Sequence, residues 1–429
     1  MSLLLKNLIL ALQNKDCYNL FCQMQKILIY TPKITNRIQY VFDFILTQFS
    51  GLEFELTANI QFFEASESFK INYSDKKIND EFFLKSDDFM FENNISETLQ
   101  FDKLNPVGKC FYALSRYEEY LYFEADKHGR FSGAGKVYKT PFVDSYILEL
   151  QKELKTKFPE LIFKKRHFEI LLTSDVDQAW KYKNKGFFRT YGGMLIDRMR
   201  GNKDEVKNRR LVLSGKKKDP FDTFDYFKSL KEKYAVDIIF FWLMADYHKF
   251  DRNIAVNNTE FRKKIKEVST WAECGIHPSY ASNDEPGKLN IEIARLSAVT
   301  GKKIKKSRQH YIKLKFPDTY RNLIENNITD DYTMAYADET GFRAGCCTPF
   351  YWFDLISDTK TNLKIHPFCA MDVSMKNYMN LSEKEAIEEL SRLKKEIQSV
   401  NGQMCILVHN SNLNEDWAGW DKVLESIFN

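Results

Sequence analysis

The sequence predicts an α/β protein in which a small α/β domain precedes a larger domain of parallel strands and crossover helices. Two observations predict this class. Residues 26–57 have the pattern of a strand, a helix and a second strand, and from residue 167 onward short apolar runs alternate with helical patterns. The length of 429 residues favours two domains, because one α/β core seldom exceeds about 250 residues. We therefore expect an α/β barrel or sheet in the second half.

The first domain is predicted from local patterns. Its opening elements are the β-rich run KILIY, the helical ITNRIQYVFDFILTQF and the alternating LEFELT. Three short alternating stretches and two helices follow, in the order IQFF, FKINY, EFFL, GKCFYALSRYEEYLYF and VDSYILELQKELKTKF. A new apolar run, HFEILL, begins after Pro159 and marks a boundary. The predicted domains are therefore 1–160, whose role the sequence does not give, and 161–429.

The start of the chain, MSLLLKNLILALQ, is apolar but is not predicted to be a signal peptide. Lys6 interrupts it, and no small-residue cleavage site precedes Lys15. We expect a helix of a soluble protein, because no apolar run approaches the roughly 20 residues that cross a bilayer. Eight cysteines without a Cys-x-x-Cys pair indicate neither a zinc ribbon nor a disulfide scaffold. This usage predicts a reducing compartment, the cytoplasm.

The charge pattern argues against nucleic-acid binding. The net charge is only +4, and the basic runs Lys216–Lys218 and Lys302–Lys306 are short and lack interleaved aromatic residues. We interpret both runs as solvated loops. The oligomeric state is not determined by the sequence.

In the second domain, polar residues follow the apolar runs that we predict to be strands. In barrels of parallel strands the carboxyl ends meet on one face, so such residues lie close together in space. One polar loop residue carries little information, but several acids and histidines favour a shared site. The residues that follow FEILLT, DIIFFWLMA, ECGI, KIHPFCAM and MCILV, or end these runs, are Ser174, Asp175, Asp177, Asp246, His277, Asp372, His409 and Asn410.

A helix is predicted over 383–398, directly before the strand MCILV. Ser382 and Glu385 have the spacing of a capping box. One apolar face is formed by Ile387, Leu390, Leu393 and Ile397. This segment illustrates the alternation of helix and strand that predicts parallel pairing.

Asp175 and Asp177 flank Val176 at the end of a predicted strand. Residues two apart on an extended segment point to the same side, so both carboxylates would face one pocket. Two like charges this close are unfavourable unless a cation lies between them or one is protonated. The pair therefore indicates a metal site with a neighbouring base, as metal-assisted hydrolysis requires. An exposed acidic loop is the alternative.

Five motifs in order resemble those of the polysaccharide deacetylases, carbohydrate esterase family four. They are TSDVD (173–177), GIHPS (275–279), GFRAGCCTPF (341–350), HPFCAMD (366–372) and LVHN (407–410). The whole chain is similar to a bacterial subgroup in which an extra N-terminal domain with an FYALSRYEEY-like segment precedes the deacetylase domain. The resemblance implies a distorted seven-stranded β/α barrel and the metal-dependent hydrolysis of an N-acetyl or related amide bond.

The resemblance also implies roles for individual residues. Asp175 would be the general base, and Asp177 and His277 would bind a divalent metal, for which we expect zinc. Arg343 would orient or polarise the base, and His409 would protonate the departing amine. The substrate implied is an acylated amino sugar in a polysaccharide or an envelope glycan precursor.

Asp372 has two interpretations in the sequence. It either orients His409 through a hydrogen bond, as carboxylates often do for catalytic imidazoles, or it begins a helix as an N-cap.

The chain departs from the family pattern at three places. Val176 separates two aspartates that the family usually has side by side, a variant that related amide and cyclic-imide hydrolases share. Ala281 stands where the family has its second histidine ligand, so one ligand is missing. His310, with Arg308 beside it, is our candidate for the third ligand, and His248 and Ser282 are the reserves. The third motif is stretched, which leaves a surface ion pair as the alternative for Arg343.

Two functions follow from these observations. The first is an active metallohydrolase that deacylates an amino sugar. The second is a degenerate deacetylase-like protein that has lost its metal and binds a glycan or serves as an assembly subunit. Aromatic residues near the motifs would either stack on sugar rings or belong to the core, and they are Trp180, Tyr280, Phe350, Tyr351 and Trp352.

Overall fold

The structure is a computed structural model that describes residues 26–133 and 137–429. The helix predicted in MSLLLKNLILALQ lies outside the described residues. The strands of the described part are, in chain order, β1 Ile27–Tyr30, β2 Phe54–Thr57, β3 Phe69–Ser74, β4 Phe82–Lys85, β5 Glu169–Val176, β6 Asp237–Trp242, β7 Glu273–Ile276, β8 Lys306–Ser307, β9 Asp330–Asp331, β10 Phe350–Asp354, β11 Thr359–Ile365, β12 Ala370–Met371 and β13 Gln403–Leu407.

Helices separate most of these strands, as parallel pairing requires. The α-helices of the described part are α1 Asn36–Phe42, α2 Ile60–Ala65, α3 Pro106–Ser115, α4 Phe142–Lys157, α5 Phe187–Met199, α6 Lys203–Leu213, α7 Phe224–Tyr234, α8 Thr259–Val268, α9 Lys288–Thr300, α10 Asp318–Glu325, α11 Glu383–Ser399 and α12 Trp420–Glu425. Two wider π-helical segments are Asp43–Phe49 and Ser374–Tyr378.

The chain forms two compact units. The first contains the described residues up to Tyr122 together with Pro141–His167 and Ala344–Thr361. The second contains Phe123–Thr140, Phe168–Arg343 and Asn362–Asn429. Two segments thus lie across the predicted boundary at residue 160, and the division into 1–160 and 161–429 stays a prediction.

The first unit has a sheet of four parallel strands in the order β2-β1-β3-β4. The apolar residues Ile27, Ile29 and Ile71 are fully buried, because parallel strands are covered on both faces. Helix α1 begins at the cap Thr35, whose side chain accepts a hydrogen bond from the amide of Ile38. The strand–helix–strand pattern predicted for residues 26–57 is confirmed.

One predicted strand of the first unit is wrong. IQFF lies in helix α2, which spans Ile60–Ala65. The side chain of Asn59 accepts a hydrogen bond from the amide of Phe62 and thereby starts the helix. The alternation of apolar residues was too short to distinguish the two structures, and the cap decides for a helix.

The second unit has a sheet in which eight parallel strands follow the order β11-β9-β8-β7-β6-β5-β13-β12. Because all eight run in the same direction, their carboxyl ends lie along one edge. Alternate residues of the central strands share one buried cluster, to which Ile239, Phe241, Cys405 and Leu407 belong. The predicted α/β class with parallel strands is confirmed.

Local sequence patterns predicted helix α11 to within one residue at each end. The helix predicted over 383–398 is found at Glu383–Ser399, and Ser382 and Glu385 form the expected capping box. The apolar residues Leu390, Leu393 and Ile397 are buried.

The segment Phe123–Thr140 joins the second unit through long-range contacts. Arg130 donates hydrogen bonds to the carbonyl of Tyr311 at 2.6 Å and to the hydroxyl of Tyr378 at 3.1 Å. These partners are 181 and 248 positions away in the chain, so local patterns do not reveal them. In the described ranges, no helix combines the length and the apolar character that crossing a bilayer demands.

Candidate active site

A cavity of about 510 Å³ lies in the second unit beside the carboxyl ends of the parallel strands. It contains most of the acids and histidines that the sequence analysis placed at those ends. The lining residues are Arg130, Asp175, Asp177, Gln178, Lys249, Phe250, Arg252, His277, His310, Tyr311, Ile312, Met371, Val373, Tyr378 and His409.

Three parallel strands position the polar groups at the centre of this cavity. Asp175 is the penultimate residue of β5, and Asp177 follows the strand directly. His277 follows β7, and Arg308 and His310 follow β8. Hydrogen bonds from the His277 amide to the Trp242 carbonyl and from the Arg308 amide to the Ile276 carbonyl extend the sheet pairing to these residues.

Asp177, His277 and His310 form a candidate metal centre. Oδ1 of Asp177 lies 3.3 Å from Nε2 of His277 and 3.6 Å from Nε2 of His310. The three ligand atoms all lie within 4.8 Å of one another. Donor atoms bound tetrahedrally to one ion at about 2.0–2.2 Å lie about 3.3–3.6 Å apart. The spacing to Asp177 therefore fits a shared divalent cation.

Hydrogen bonds on the far side of each imidazole leave the near side free for a cation. Nδ1 of His277 donates to the Arg308 carbonyl at 2.6 Å, and Nδ1 of His310 donates to Oδ1 of Asp251 at 2.8 Å. The Nε2 atoms of both rings then point toward Asp177. Among the described residues no group donates a hydrogen bond to the buried Oδ1 of Asp177. A buried carboxylate oxygen that faces two imidazole nitrogens fits a metal ligand set.

The electrostatics of this cluster favour a positive charge. Burial raises the pKa of the Asp177 carboxyl, but His310 and His277 outweigh burial and hold this pKa well below its usual range. Burial lowers the pKa of His310, whereas Asp177 and Asp251 raise it, and the resulting pKa is about 9. A divalent cation would supply the same positive charge between the carboxylates.

Asp251 holds the ring of His310 from the side that faces away from Asp177. Its carboxylate is fully buried and accepts hydrogen bonds from the amides of Tyr280 and Ala281 at 2.8 and 3.3 Å, in addition to that from His310. Ala281, where the resemblance implies a second histidine, contributes only its backbone amide to this contact. An imidazole from a different strand end, that of His310, faces Asp177 instead.

The arginine beside Asp175 is Arg308. Its Nη1 donates to Oδ1 of Asp175 at 3.2 Å and to the hydroxyl of Thr173 at 2.7 Å. The guanidinium is fully buried and stacks between the rings of Phe241 and Phe368, at 4.7 and 4.8 Å from their centroids. This packing holds the carboxylate of Asp175 in one orientation.

Arg343 is also buried, which excludes the surface ion pair considered above. Its Nη1 donates to the carbonyl of Ala335 at 2.9 Å, and it does not belong to the lining of the cavity. An orienting action of Arg343 on the base stays a prediction.

His409 lies in the same cavity and is held by Asp372. Nδ1 of His409 lies 2.8 Å from Oδ1 of Asp372, and the amide of His409 donates to Oδ2 at 2.8 Å. The same carboxylate accepts a hydrogen bond from the amide of the next residue, Val373, at 2.7 Å. The π-helical segment that follows has no side-chain cap hydrogen bond, so of the two interpretations only the contact with His409 is found. Burial lowers the pKa of His409, but Asp372 raises it together with Asp177 and Asp175, to about 10. The imidazole is therefore a proton donor at neutral pH.

The remaining predicted polar residues have other surroundings. Asp246 is largely exposed and pairs with Arg295 at 2.8 Å. His248 is half-exposed, and Ser282 is buried and donates a hydrogen bond to the carbonyl of Ser279. His248 does not belong to the ligand group of acids and histidines found in the described ranges, and neither reserve lines the cavity. Asn410 is buried and donates to the carbonyls of Gln178 and Phe221.

Sequence reasoning missed several residues of the cavity wall. Phe250, Tyr311 and Tyr378 supply aromatic surface, and Phe250 packs on Tyr280 at a centroid distance of 4.4 Å. Among the aromatic residues singled out in the sequence, Trp180, Phe350 and Trp352 are buried in the core. Arg130 comes from before the predicted domain boundary, and no local signal indicates it.

Residues 27–159 match the model of a family of unknown function, DUF7033. No curated protein is significantly similar to this chain. A polysaccharide deacetylase from Mycobacterium smegmatis is 14% identical, with 62% of this chain and 85% of that chain covered and a TM-score of 0.40. A polysaccharide deacetylase from Bacillus cereus is 10% identical, with 62% and 86% covered and a TM-score of 0.30. A CE4 family pseudoenzyme from Bacillus anthracis is 11% identical, with 60% of each chain covered and a TM-score of 0.31.

Fold and site together describe a parallel α/β unit with an Asp-His-His candidate metal centre, a neighbouring carboxylate and a histidine paired with an aspartate in one cavity. These elements are the set that metal-assisted hydrolysis needs.

Proposed function

We propose that this chain is a metal-dependent hydrolase of amide C–N bonds that removes the acyl group from an amino sugar in a polysaccharide or an envelope glycan precursor. The observation that carries the proposal is the spacing of 3.3 and 3.6 Å from Asp177 to the two imidazole nitrogens, beside the carboxylate of Asp175. The order of the five motifs, which resembles that of polysaccharide deacetylases, supports the amino sugar as substrate. Zinc is the metal we propose, because two imidazoles and one carboxylate form a common catalytic zinc set.

The proposal includes the finer fold. In this interpretation the parallel strands of the second unit would form the distorted seven-stranded β/α barrel of the deacetylases. The distortion would lie at strands of only two residues, such as β8, β9 and β12. The site at the carboxyl ends of the strands agrees with this interpretation, since α/β barrels keep their active sites there.

The chain's own groups have distinct tasks in the proposed reaction. A divalent ion, when bound, would polarise the acyl carbonyl and lower the pKa of water. Asp175 takes the proton of the attacking water, and Arg308 holds the carboxylate in place. His409 donates a proton to the departing amine nitrogen, and Asp372 keeps its imidazole oriented through Nδ1, which leaves Nε2 toward the cavity.

The alternative function, a degenerate protein without metal, was motivated by Ala281 in place of a histidine. His310 supplies an imidazole from the end of β8, with Asp251 as its partner at 2.8 Å. A complete three-ligand set with an adjacent base supports the active enzyme over the alternative.

The test is the metal content and activity of the purified wild-type chain. We expect one divalent ion per chain by elemental analysis and release of acetate from N-acetylglucosamine oligomers, with both lost after treatment with a chelator and restored by zinc. A chain that binds no metal after dialysis against zinc would contradict the proposal and favour the glycan-binding alternative.

Replacing Asp251 by asparagine is expected to weaken metal binding about 10–100-fold, since partners behind a metal-bound histidine have effects of this size. Asparagine keeps the shape but not the charge that orients His310. The affinity is measured by competition with a zinc indicator. Asp246→Asn is the matched control, because Asp246 lies in the same loop region, is exposed and pairs with Arg295. Equal zinc affinities in both variants would show that Asp251 has no role in the centre.

A further inference from the structure

Helix α5, Phe187–Met199, has an unusual distribution of side chains. None of its residues is buried. Phe188 is 89% exposed and Met199 is 79% exposed. The large apolar side chains exposed on this helix are Phe187, Phe188, Tyr191, Leu195, Ile196 and Met199. Six such groups on one helix are far from the scattered single apolar residues of ordinary protein surfaces, and a contiguous apolar patch marks an interaction site.

Two charged residues of α5, Arg189 and Asp197, face the protein instead of the solvent. Arg189 donates hydrogen bonds to the carbonyls of Asn253 and Arg252 at 2.8 and 3.1 Å. Asp197 forms an ion pair with Arg209 of α6 at 2.6 Å. A helix that packs on its own protein normally turns its apolar face inward. Here the orientation is reversed, so the apolar face is available to something outside the chain.

The surroundings of this face are strongly basic. Residues 187–218 contain ten basic and three acidic residues, a net charge of +7, whereas the whole chain has +4. Two of the three acids are engaged with basic partners, Asp197 with Arg209 and Glu205 with Lys181. The exposed basic residues of this segment are Arg198, Arg200, Lys203, Lys207, Arg210, Lys216 and Lys218, of which Lys218 pairs with Asp225 at 2.6 Å.

We propose that α5 and the basic residues around it form a docking surface for an anionic lipid bilayer. An interfacial helix buries aromatic and aliphatic side chains among the acyl chains while lysine and arginine contact anionic headgroups. The 13 residues of α5 span about 20 Å, too short for a hydrocarbon core of about 30 Å, so the helix lies along the surface. Nucleic acid would leave Leu195 and Ile196 without apolar contacts, and two copies of this surface would repel each other.

The docking surface adjoins the cavity. Arg189 donates a hydrogen bond to the carbonyl of Arg252, which lines the cavity. Lys185, two residues before α5, donates a hydrogen bond to Gln178 of the cavity wall at 2.6 Å. A bilayer bound to α5 would therefore lie next to the segment that contributes Arg252 to the cavity wall. Resting on the proposed function, this placement specifies the substrate as an acylated amino sugar anchored at a membrane surface.

The test is flotation of the full-length chain with vesicles of phosphatidylcholine alone or with added phosphatidylglycerol. We expect binding to the anionic vesicles and a decrease with salt. The double variant Phe188→Ser/Met199→Ser is expected to bind about 100-fold more weakly, because each side chain contributes about tenfold or more to transfer from water. Tyr122→Ser/Ile291→Ser is the matched control, since these side chains are 97% and 53% exposed on other elements.

Three results would overturn the proposal. They are no binding of the wild type to anionic vesicles, equal binding of the double variant, and concentration-dependent self-association that only the double variant loses, which would assign the face to a second copy of the chain. The vesicle assay needs neither metal nor substrate. A membrane-bound chain without zinc would therefore contradict only the hydrolase, and a zinc enzyme that ignores vesicles would contradict only the docking surface.

Discussion

Asp177→Ala is expected to reduce the bound divalent metal from one ion per chain to none and to abolish amide hydrolysis. Asp177 supplies the only negatively charged oxygen of the three-atom ligand group, and Oδ1 is the atom within 3.6 Å of both imidazole nitrogens. Two neutral imidazoles left alone bind a divalent ion far more weakly than a set of three ligands with a carboxylate. Elemental analysis after dialysis measures the metal, and acetate release measures activity.

The matched control for this experiment is Asp284→Ala. Asp284 is largely exposed and pairs with Lys313 at 2.8 Å, so its loss removes a surface ion pair of small energetic value. We expect the control to keep its metal and its activity. Retention of stoichiometric metal by Asp177→Ala would show that the cluster is not the binding site, even if the wild type contains metal.

Asp175→Asn is expected to keep the metal and to lower the turnover about 10²–10⁴-fold, the usual contribution of a general base. Asparagine has the same shape as aspartate and can still accept a hydrogen bond from Arg308, but it cannot take a proton. Retained metal together with lost turnover would distinguish the general base from the metal ligand. The distinction needs this test because the two carboxylates lie only two positions apart and both face His277, at 3.7 and 3.3 Å.

The neutral side chain at position 175 leaves Arg308 without its charged partner in a buried site. Such a loss costs about 3–5 kcal/mol of folding free energy, so thermal unfolding must accompany the kinetics. Asp331→Asn is the control for burial, because Asp331 is fully buried and bonded to Ser307 and Thr333 outside the cavity. A folded Asp175→Asn variant with wild-type turnover would show that Asp175 is not the general base.

Arg308→Lys distinguishes the two arginines that could act on the base. Lysine keeps the charge beside Asp175 but loses the planar contacts with Phe241 and Phe368 and the hydrogen bond to the Thr173 hydroxyl. We therefore expect a lower kcat with little change in KM. An unchanged pH profile and an unchanged kcat in this variant would show that Arg308 does not orient the base. Arg343 would then be the remaining candidate for that role.

Much of the site could be predicted because parallel strands bring their carboxyl ends to one edge. Asp175, Asp177, His277 and His409 follow apolar runs in the sequence, and all four line one cavity. The third ligand could only be narrowed to His310, His248 and Ser282, since spacing along the chain does not show which loop turns inward. The packing of β8 beside β7 places the ring of His310 at 4.9 Å from that of His277.

Other features were out of reach of local patterns. The contribution of Arg130 depends on hydrogen bonds to residues 181 and 248 positions away, and the exchange of segments between the two units depends on similar long-range contacts. The exposed face of α5 has an ordinary apolar periodicity in the sequence. Only the contacts of Arg189 and Asp197 show that the apolar face of this helix points away from the protein.

The sequence by itself determined the class of fold, most strand and helix positions such as the capped helix α11, and the acids and histidines that end the strands. These are local properties, set by the period of apolar residues and by capping side chains. The tertiary structure alone decided that Arg308 contacts Asp175, that His310, held by Asp251, lies beside Asp177 and His277, and that α5 presents its apolar face outward. Those outcomes depend on which distant segments pack together, because packing sets the direction in which a side chain points.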